Sequence, residues 1–226
     1  MTLSPNWFDD NTCVKQAGKC VNSVLHKETG KNMECQQLTK HPQFAEAWLH
    51  SGANKFGRLF QGVGRKNGKQ RVKGTNTCFW IPESKTPSHK KVTIPRIVCD
   101  VKPEKDEVNR ARITAQGQHS ACLGNVAAET ADLTTAKMSF NSVISTPGAK
   151  FMTMDVSIKC LDAHLKDHQC VRFGIDMTPE EVILDCDLRN LVNEDSWVHC
   201  EIRKAICGLK ESGKLANTQL KNIPSS

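Results

Sequence analysis

The stretch Lys150-Phe-Met-Thr-Met-Asp-Val-Ser-Ile158 decides the fold, because apolar side chains occupy every second position from Met152 onward. Such alternation predicts a β-strand with one buried face, and it directs Asp155 to the opposite face. Strands and helices follow one another on both sides of this stretch. We therefore predict an α+β fold, in which a carboxylate stands on the open side of a strand. The predicted buried face consists of Met152, Met154, Val156 and Ile158.

The second half of the chain predicts further helices and strands around this stretch. Either Thr130 or Asp132 can cap a helix that ends before Pro147-Gly148. Downstream, Thr178 is expected to cap a short helix that opens with Pro179. The other predicted features are a helix stripe of Leu133, Ala136, Phe140, Val143 and Ile144, a strand over Trp197–Ile206 that Gly208 ends, and a helix over Glu211–Leu220.

The first half predicts short helices followed by strands. One or two helices are expected within Phe44–Phe60, interrupted near Ser51-Gly52, and Asn67-Gly68 is a turn signal. Further predicted strands are Thr75–Ile81, Ile94–Val101 and Arg110–Ala115, with Lys102–Val108 as the loop of a hairpin. The last strand alternates strictly, so that Arg110, Arg112 and Thr114 face one way and Ala111, Ile113 and Ala115 the other.

Positive charge is concentrated in the first half of the chain. The net charge is +10 up to residue 113 and −3 beyond it, which gives the total of +7 for 226 residues. No acidic residue occurs between Glu46 and Glu83. This stretch suits a phosphate backbone, although a solvated basic loop has the same composition. Its seven cations are Lys55, Arg58, Arg65, Lys66, Lys69, Arg71 and Lys73.

The composition excludes a membrane-spanning protein. Mean hydropathy is −0.46, and no apolar run reaches the roughly 18 residues that a membrane helix needs. The first ten residues lack the basic and apolar parts of a secretion signal, so we expect an intracellular protein. Its eleven cysteines are then free thiols or metal ligands. One alternative is a zinc module built from Cys13, Cys20, His26, Cys35 and His41. The spacing of these residues is unlike that of a tight zinc knuckle.

Three segments of the chain resemble segments of a known family, and they occur in the same order and at similar spacing along the sequence. They are Arg110-Ala-Arg-Ile-Thr-Ala-Gln-Gly117, the run from Thr134 to Val156, and Glu201-Ile-Arg-Lys-Ala-Ile-Cys-Gly-Leu-Lys-Glu211. Together they resemble the reverse transcriptase region of copia-type retrotransposon polyproteins, over about residues 45 to 221. The family has Lys-Ala-Arg-Leu-Val-Ala-Lys-Gly at the first segment and Tyr-Gly-Leu before the palm helix at the third.

The resemblance implies an RNA-directed DNA polymerase with the fingers and part of the palm of a right-hand fold. It implies that Asp155 and the backbone carbonyl of Val156 bind Mg²⁺, and that Arg110 and Arg112 hold the triphosphate of a deoxynucleotide. It also implies that Cys160 occupies the sugar-discriminating position and that Glu211 lies near the template-primer or the nucleotide. The implied partners are an RNA template, a DNA primer and a deoxynucleotide triphosphate.

Elementary chemistry agrees with these roles without requiring them. Nucleotidyl transfer needs carboxylates that hold two Mg²⁺ ions roughly 3.5 to 4 Å apart, and Asp155 on an open strand face suits such a ligand. An ordinary strand-end Asp that makes a turn contact has the same pattern. Arg110 and Arg112 place two guanidinium groups about 7 Å apart on one face, which suits a triphosphate, but exposed strands with two arginines are common.

Several positions depart from the family pattern. The Asp-Asp pair that completes the family's metal site has no counterpart here, because no Asp follows Asp195. Cysteine replaces an aromatic residue at Cys160 and Cys207, and Ser157 replaces a lysine. We therefore expect a fragment that is inactive alone, divided into a polar segment 1–44, a basic fingers-like region 45–149 and a partial palm 150–226. The alternative is a nucleic-acid-binding module that uses the basic patch without catalysis.

Overall fold

The computed structural model describes residues 23–25, 30–117, 126–127, 131–152 and 159–222, without the side chains of 159 and 160. It has the predicted α+β character, with small antiparallel sheets and short helices. The strands are β1 (Ser23–Leu25), β2 (Asn32–Glu34), β3 (Val63–Lys66), β4 (Lys69–Val72), β5 (Cys78–Ile81), β6 (Arg96–Val101), β7 (Asn109–Thr114), β8 (His164–Gly174) and β9 (Trp197–Lys204). The helices are α1 (Cys35–Lys40), α2 (Ala45–Leu59), α3 (Leu133–Ser145), α4 (Lys159–Asp162), α5 (Glu180–Asp185) and α6 (Ser212–Lys221).

The main core lies on one face of a three-stranded sheet in the order β5-β9-β8. The predicted strand over Trp197–Ile206 is its central strand, and Val198, Cys200 and Ile202 are fully buried on the core face. Aromatic rings from α2 and from Phe60, which directly follows it, pack on the same face, and the Phe60 and Trp80 rings stack at 4.0 Å. The sheet therefore joins a strand from the first half of the chain to two from the second.

Helix α2 is continuous, which corrects the predicted interruption at Ser51-Gly52. The Ser51 hydroxyl is buried and accepts a hydrogen bond of 2.8 Å from the backbone N–H of Ala111 in β7. Gly52 faces Pro179, and a Cβ there would approach the proline ring to 3.3 Å. These two small residues, which weaken an isolated helix, are thus used for close tertiary packing.

Strands β6 and β7 form the predicted hairpin, with Ala111 and Ile113 buried and Arg112 exposed. Along its edge away from β6, strand β7 is covered by other parts of the chain. The Ala115 N–H donates to the Cys207 carbonyl (2.9 Å), and the Gly117 N–H donates to the Gly208 carbonyl (3.0 Å). We call this contact between residues 115–117 and 207–208 the glycine junction.

Helix α3 lies where the sequence predicts it, and Asp132 caps it by accepting a hydrogen bond of 2.7 Å from the Thr135 N–H. Its apolar stripe is not buried, because Leu133 is 71% exposed and Ile144 is 82% exposed. Helix α5 begins at Glu180 after Pro179, so the predicted cap Thr178 stands one residue too early. Of the predicted strand Lys150–Ile158, positions 153–158 lie outside the described residues.

The second face of the three-stranded sheet carries a buried histidine. The His199 side chain is 5% exposed, and its Nδ1 lies 3.0 Å from the Thr86 hydroxyl. Its Nε2 lies 3.7 Å from a Glu83 carboxylate oxygen. Burial lowers the pKa of His199, the Glu83 carboxylate partly opposes this shift, and Arg172 on the neighbouring strand adds to it.

Replacement of Gly208 by Ala should destabilise the protein more than replacement of Gly148. Both glycines have positive φ, +94° and +79°, which costs Ala about 1–2 kcal/mol. Only at Gly208 would the new Cβ also collide with the Ala115 carbonyl oxygen, which we expect to add about 1–3 kcal/mol. Urea unfolding of both variants measures the difference, and equal losses would contradict the junction.

The free energy of unfolding should fall as the pH is lowered through 6.5. The ordinary pKa of His199 is 6.5, and the folded value is lower, so in this range the unfolded chain binds a proton that the folded chain does not. The contribution of the neutral His199 ring to the free energy of unfolding is fully present above pH 6.5. It declines as the pH falls towards the pKa of His199 in the folded protein. Denaturant unfolding between pH 7.5 and 5.5 should show a smaller slope for His199→Asn and an unchanged slope for His164→Asn, whose ring is exposed.

Candidate nucleic-acid and nucleotide interface

The hairpin β3–β4 presents an exposed group of cations. Its turn residues Asn67 and Gly68 both have positive φ, 51° and 76°, as the two-residue turn signal predicts. Lys66 and Lys69 are directly opposite each other beside this turn, although like charges at such positions repel. Among the described residues no carboxylate forms an ion pair with the exposed cations Arg65, Lys66, Lys69 and Lys73.

Carboxylates from α5 attach this hairpin to the body of the protein. The Gly64 N–H donates to the Asp185 carboxylate at 2.7 Å. The Arg71 guanidinium makes two hydrogen bonds of 2.6 Å to the Glu181 carboxylate, and these bonds raise its pKa. The sequence placed Arg71 in the nucleic-acid-binding set and gave no role to Asp185. Arg71 pairs with Glu181 and Gly64 with Asp185, and contacts between residues so far apart in the chain leave no local signal in the sequence.

A buried asparagine extends this network into α2. The Asn54 side chain accepts a hydrogen bond from Arg71 Nε and donates one to Glu107, both at 2.9 Å. Glu107 also pairs with Arg58 at 2.9 Å. Arg58 and Arg71, two of the seven cations of the basic stretch, therefore hold α2, hairpin β3–β4 and the loop before β7 together.

Arg110 and Arg112 share one face of β7, as predicted, but their surroundings differ. Arg112 is about half exposed and forms a 2.9 Å ion pair with Asp100 on β6. Arg110 is half buried, and it forms no ion pair with a described residue. Lys55 of α2, which the sequence grouped with the nucleic-acid-binding cations, is also half buried and lies near Arg110 and Cys207.

Several predicted site residues cannot be compared with this arrangement. Asp155 and Val156 lie outside the described residues, and Cys160 lies in α4 with its side chain outside the description. Glu211 stands immediately before α6, after the Cys207-Gly208 segment. Of the alternative zinc set, Cys13, Cys20 and His26 fall outside the described residues. Of the other two, Cys35 packs beside Cys99, and the His41 ring stacks on Phe44 at 4.6 Å.

A cavity of about 650 Å³ lies between α1, α2 and the β6–β7 hairpin. Trp48, Ile97, Met177 and Pro179 are among its lining residues. Neither Arg110 nor Arg112 lines this cavity, although Thr114 at the end of the same strand does.

The described residues contain neither a cluster of metal-ligating side chains nor a helix that could span a membrane. No group of three or more metal-ligating His, Cys, Asp or Glu side chains occurs in the described ranges, which do not include Asp155. Within the same ranges, no helix is long and apolar enough to cross a membrane.

Comparison with models of known protein families found no match, and neither curated proteins nor solved structures gave a significant similarity.

Proposed function

We propose that this chain is the fingers and first part of the palm of a copia-type reverse transcriptase, inactive alone but able to bind nucleic acid. The observation that carries the proposal is the glycine junction. It joins two of the segments on which the resemblance rests, Arg110–Gly117 and Glu201–Glu211, by backbone hydrogen bonds. In the proposed function, this contact holds the triphosphate-binding strand against the segment that opens the palm helix.

The exposed face of α3 supports the proposal independently. Leu133, Phe140 and Ile144 share this face, and the Phe151 ring packs on Phe140 at 4.7 Å. Monomeric proteins rarely leave large contiguous apolar patches in water. In the proposed function, this face of α3 packs against other parts of the polymerase.

The assignment of Mg²⁺ binding to Asp155 rests on the family resemblance alone. The described residues contain no group of three candidate ligands, and the sequence has no later Asp-Asp pair. These residues do not complete a Mg²⁺ site, and we assign no catalytic step to the chain as it stands.

The alternative function is a nucleic-acid-binding module without catalysis. The observation that favours it is the group Arg65, Lys66, Lys69 and Lys73, which is exposed and has no ion-pair partner among the described residues. Such a surface binds the phosphates of RNA or DNA and releases their counterions. Both functions require this surface, and only the polymerase requires Asp155.

Removal of two hairpin charges should weaken nucleic-acid binding and its salt dependence. For Lys66→Gln with Lys69→Gln, we expect about tenfold weaker binding of single-stranded RNA at low salt, and a log–log salt slope lower by about 1.4. Fluorescence anisotropy across a salt series measures both quantities. The matched control is Lys91→Gln with Lys166→Gln, two exposed lysines outside the patch, and equal losses in the two double variants would refute the hairpin interface.

A longer chain distinguishes the two functions. When an Asp-Asp hairpin from a copia-type polymerase is fused after residue 226, the proposal predicts Mg²⁺-dependent extension of a DNA primer on an RNA template. Asp155→Asn should abolish extension, and Asp162→Asn, at an exposed position in α4, should leave it intact. Nucleic-acid binding without extension by the fused chain would favour the binding module.

A further inference from the structure

Packing between α2 and β7 brings two half-buried cations together. The hydrogen bond from Ala111 N–H to the Ser51 hydroxyl fixes α2 against the edge of β7. Lys55 follows Ser51 by one helical turn and therefore lies on the same side of α2. Arg110 directly precedes Ala111 in β7, and its charge acts on Lys55. Two cations far apart in the sequence are thus carried by neighbouring elements that pack together.

The neighbouring arginines Arg58 and Arg112 form ion pairs with carboxylates, whereas Lys55 and Arg110 form none with a described residue. Arg58 pairs with Glu107, and Arg112 pairs with Asp100, each at 2.9 Å. Among the described residues, no carboxylate forms an ion pair or hydrogen bond with Lys55 or Arg110. The local excess of positive charge is therefore not neutralised by these neighbouring residues.

Burial makes this excess costly. A charge withdrawn from water is disfavoured unless an opposite charge or hydrogen bonds compensate for it. Burial lowers the pKa of Lys55, and the charges of Arg58 and Arg110 lower it further, although the nearby Cys207 partly opposes them. An anion bound between Lys55 and Arg110 would remove this cost.

We propose that Lys55 and Arg110 together bind one phosphate group, and that this group belongs to the triphosphate of an incoming nucleotide. The inference rests on the proposed function, and it assigns Lys55 a role separate from the other cations of the basic stretch. A point-charge ammonium and a forked guanidinium are the two side chains that proteins commonly use for phosphate. Arg112, which is held by Asp100, would contact a more distant phosphate or none.

The exposed thiol of Cys207 provides a direct readout of this site. Cys207 is exposed and lies near Lys55, and its backbone carbonyl accepts a hydrogen bond from the Ala115 N–H. A bound phosphate would shield this thiol from alkylating agents, which react with accessible cysteines. We would measure alkylation of Cys207 by iodoacetamide at peptide level in the full chain, with sodium tripolyphosphate, orthophosphate or a short oligodeoxynucleotide as the probe.

Tripolyphosphate should slow Cys207 alkylation at least fivefold, at lower concentration than orthophosphate does. Lys55→Gln and Arg110→Gln should each raise the concentration needed for half-protection about tenfold, whereas Lys91→Gln should leave it unchanged. Protection is compared as the ratio of rates with and without the probe, because the substitutions also change the basal rate. Protection of Cys207 that is retained in Lys55→Gln would overturn the inference.

A second measurement uses the unmodified protein and does not depend on the folding of a variant. Tripolyphosphate should protect the Lys55 amine, but not that of Lys91, from acylation by an activated ester. If tripolyphosphate leaves the acylation of Lys55 unchanged, the inference is overturned. If only the oligonucleotide protects Lys55, the assignment of the bound phosphate to a nucleotide triphosphate is overturned. If tripolyphosphate protects Lys55 but the fused chain does not extend a primer, the proposed polymerase function is rejected and the phosphate site is retained.

Discussion

The arrangement depends on how the free edge of β7 is covered. An uncovered edge exposes a row of unpaired N–H and carbonyl groups, and proteins cover, shorten or charge such edges. Here the Ser51 hydroxyl accepts a hydrogen bond from the N–H of Ala111. The Cys207 and Gly208 carbonyls accept hydrogen bonds from the N–H groups of Ala115 and Gly117. The approach at Gly117 and Gly208 is so close that a Cβ on either residue would collide with backbone. Together these hydrogen bonds hold the Arg110 strand, α2 and the segment before α6 in one unit.

Apart from Lys55, the cations of the basic stretch divide into two groups that differ in ion pairing. Arg58 and Arg71 join carboxylates and Asn54 in a network between elements, so their charges are compensated within the fold. The exposed cations on and after hairpin β3–β4 form no ion pair with a described residue and remain accessible to phosphates. Lys55 belongs to neither group, since it is withdrawn from the surface beside Arg110. A charge count along the chain cannot separate these cases, because burial and pairing decide them.

Local patterns predicted the elements that local physics determines. The Asn67-Gly68 turn needs two residues with positive φ, and the alternation in Arg110–Ala115 follows from one buried strand face. Strand β8 was missed because polar residues occupy most of its first half and its pairing with β9 shifts register between His164 and Gln169. The continuity of α2 was missed because Ser51 and Gly52 weaken an isolated helix, and only contacts with Ala111 and Pro179 explain them.

The central claim is that the Arg110 strand and the Cys207-Gly208 segment form one nucleotide site. Photoaffinity labelling of the full chain with an azido-substituted deoxynucleoside triphosphate, followed by peptide mapping, tests it most directly. The account predicts that adducts concentrate on peptides containing Arg110 and Cys207, and that unlabelled nucleotide suppresses both together. Adducts confined to the Arg65–Lys73 hairpin, or spread evenly over exposed lysines without competition, would contradict it.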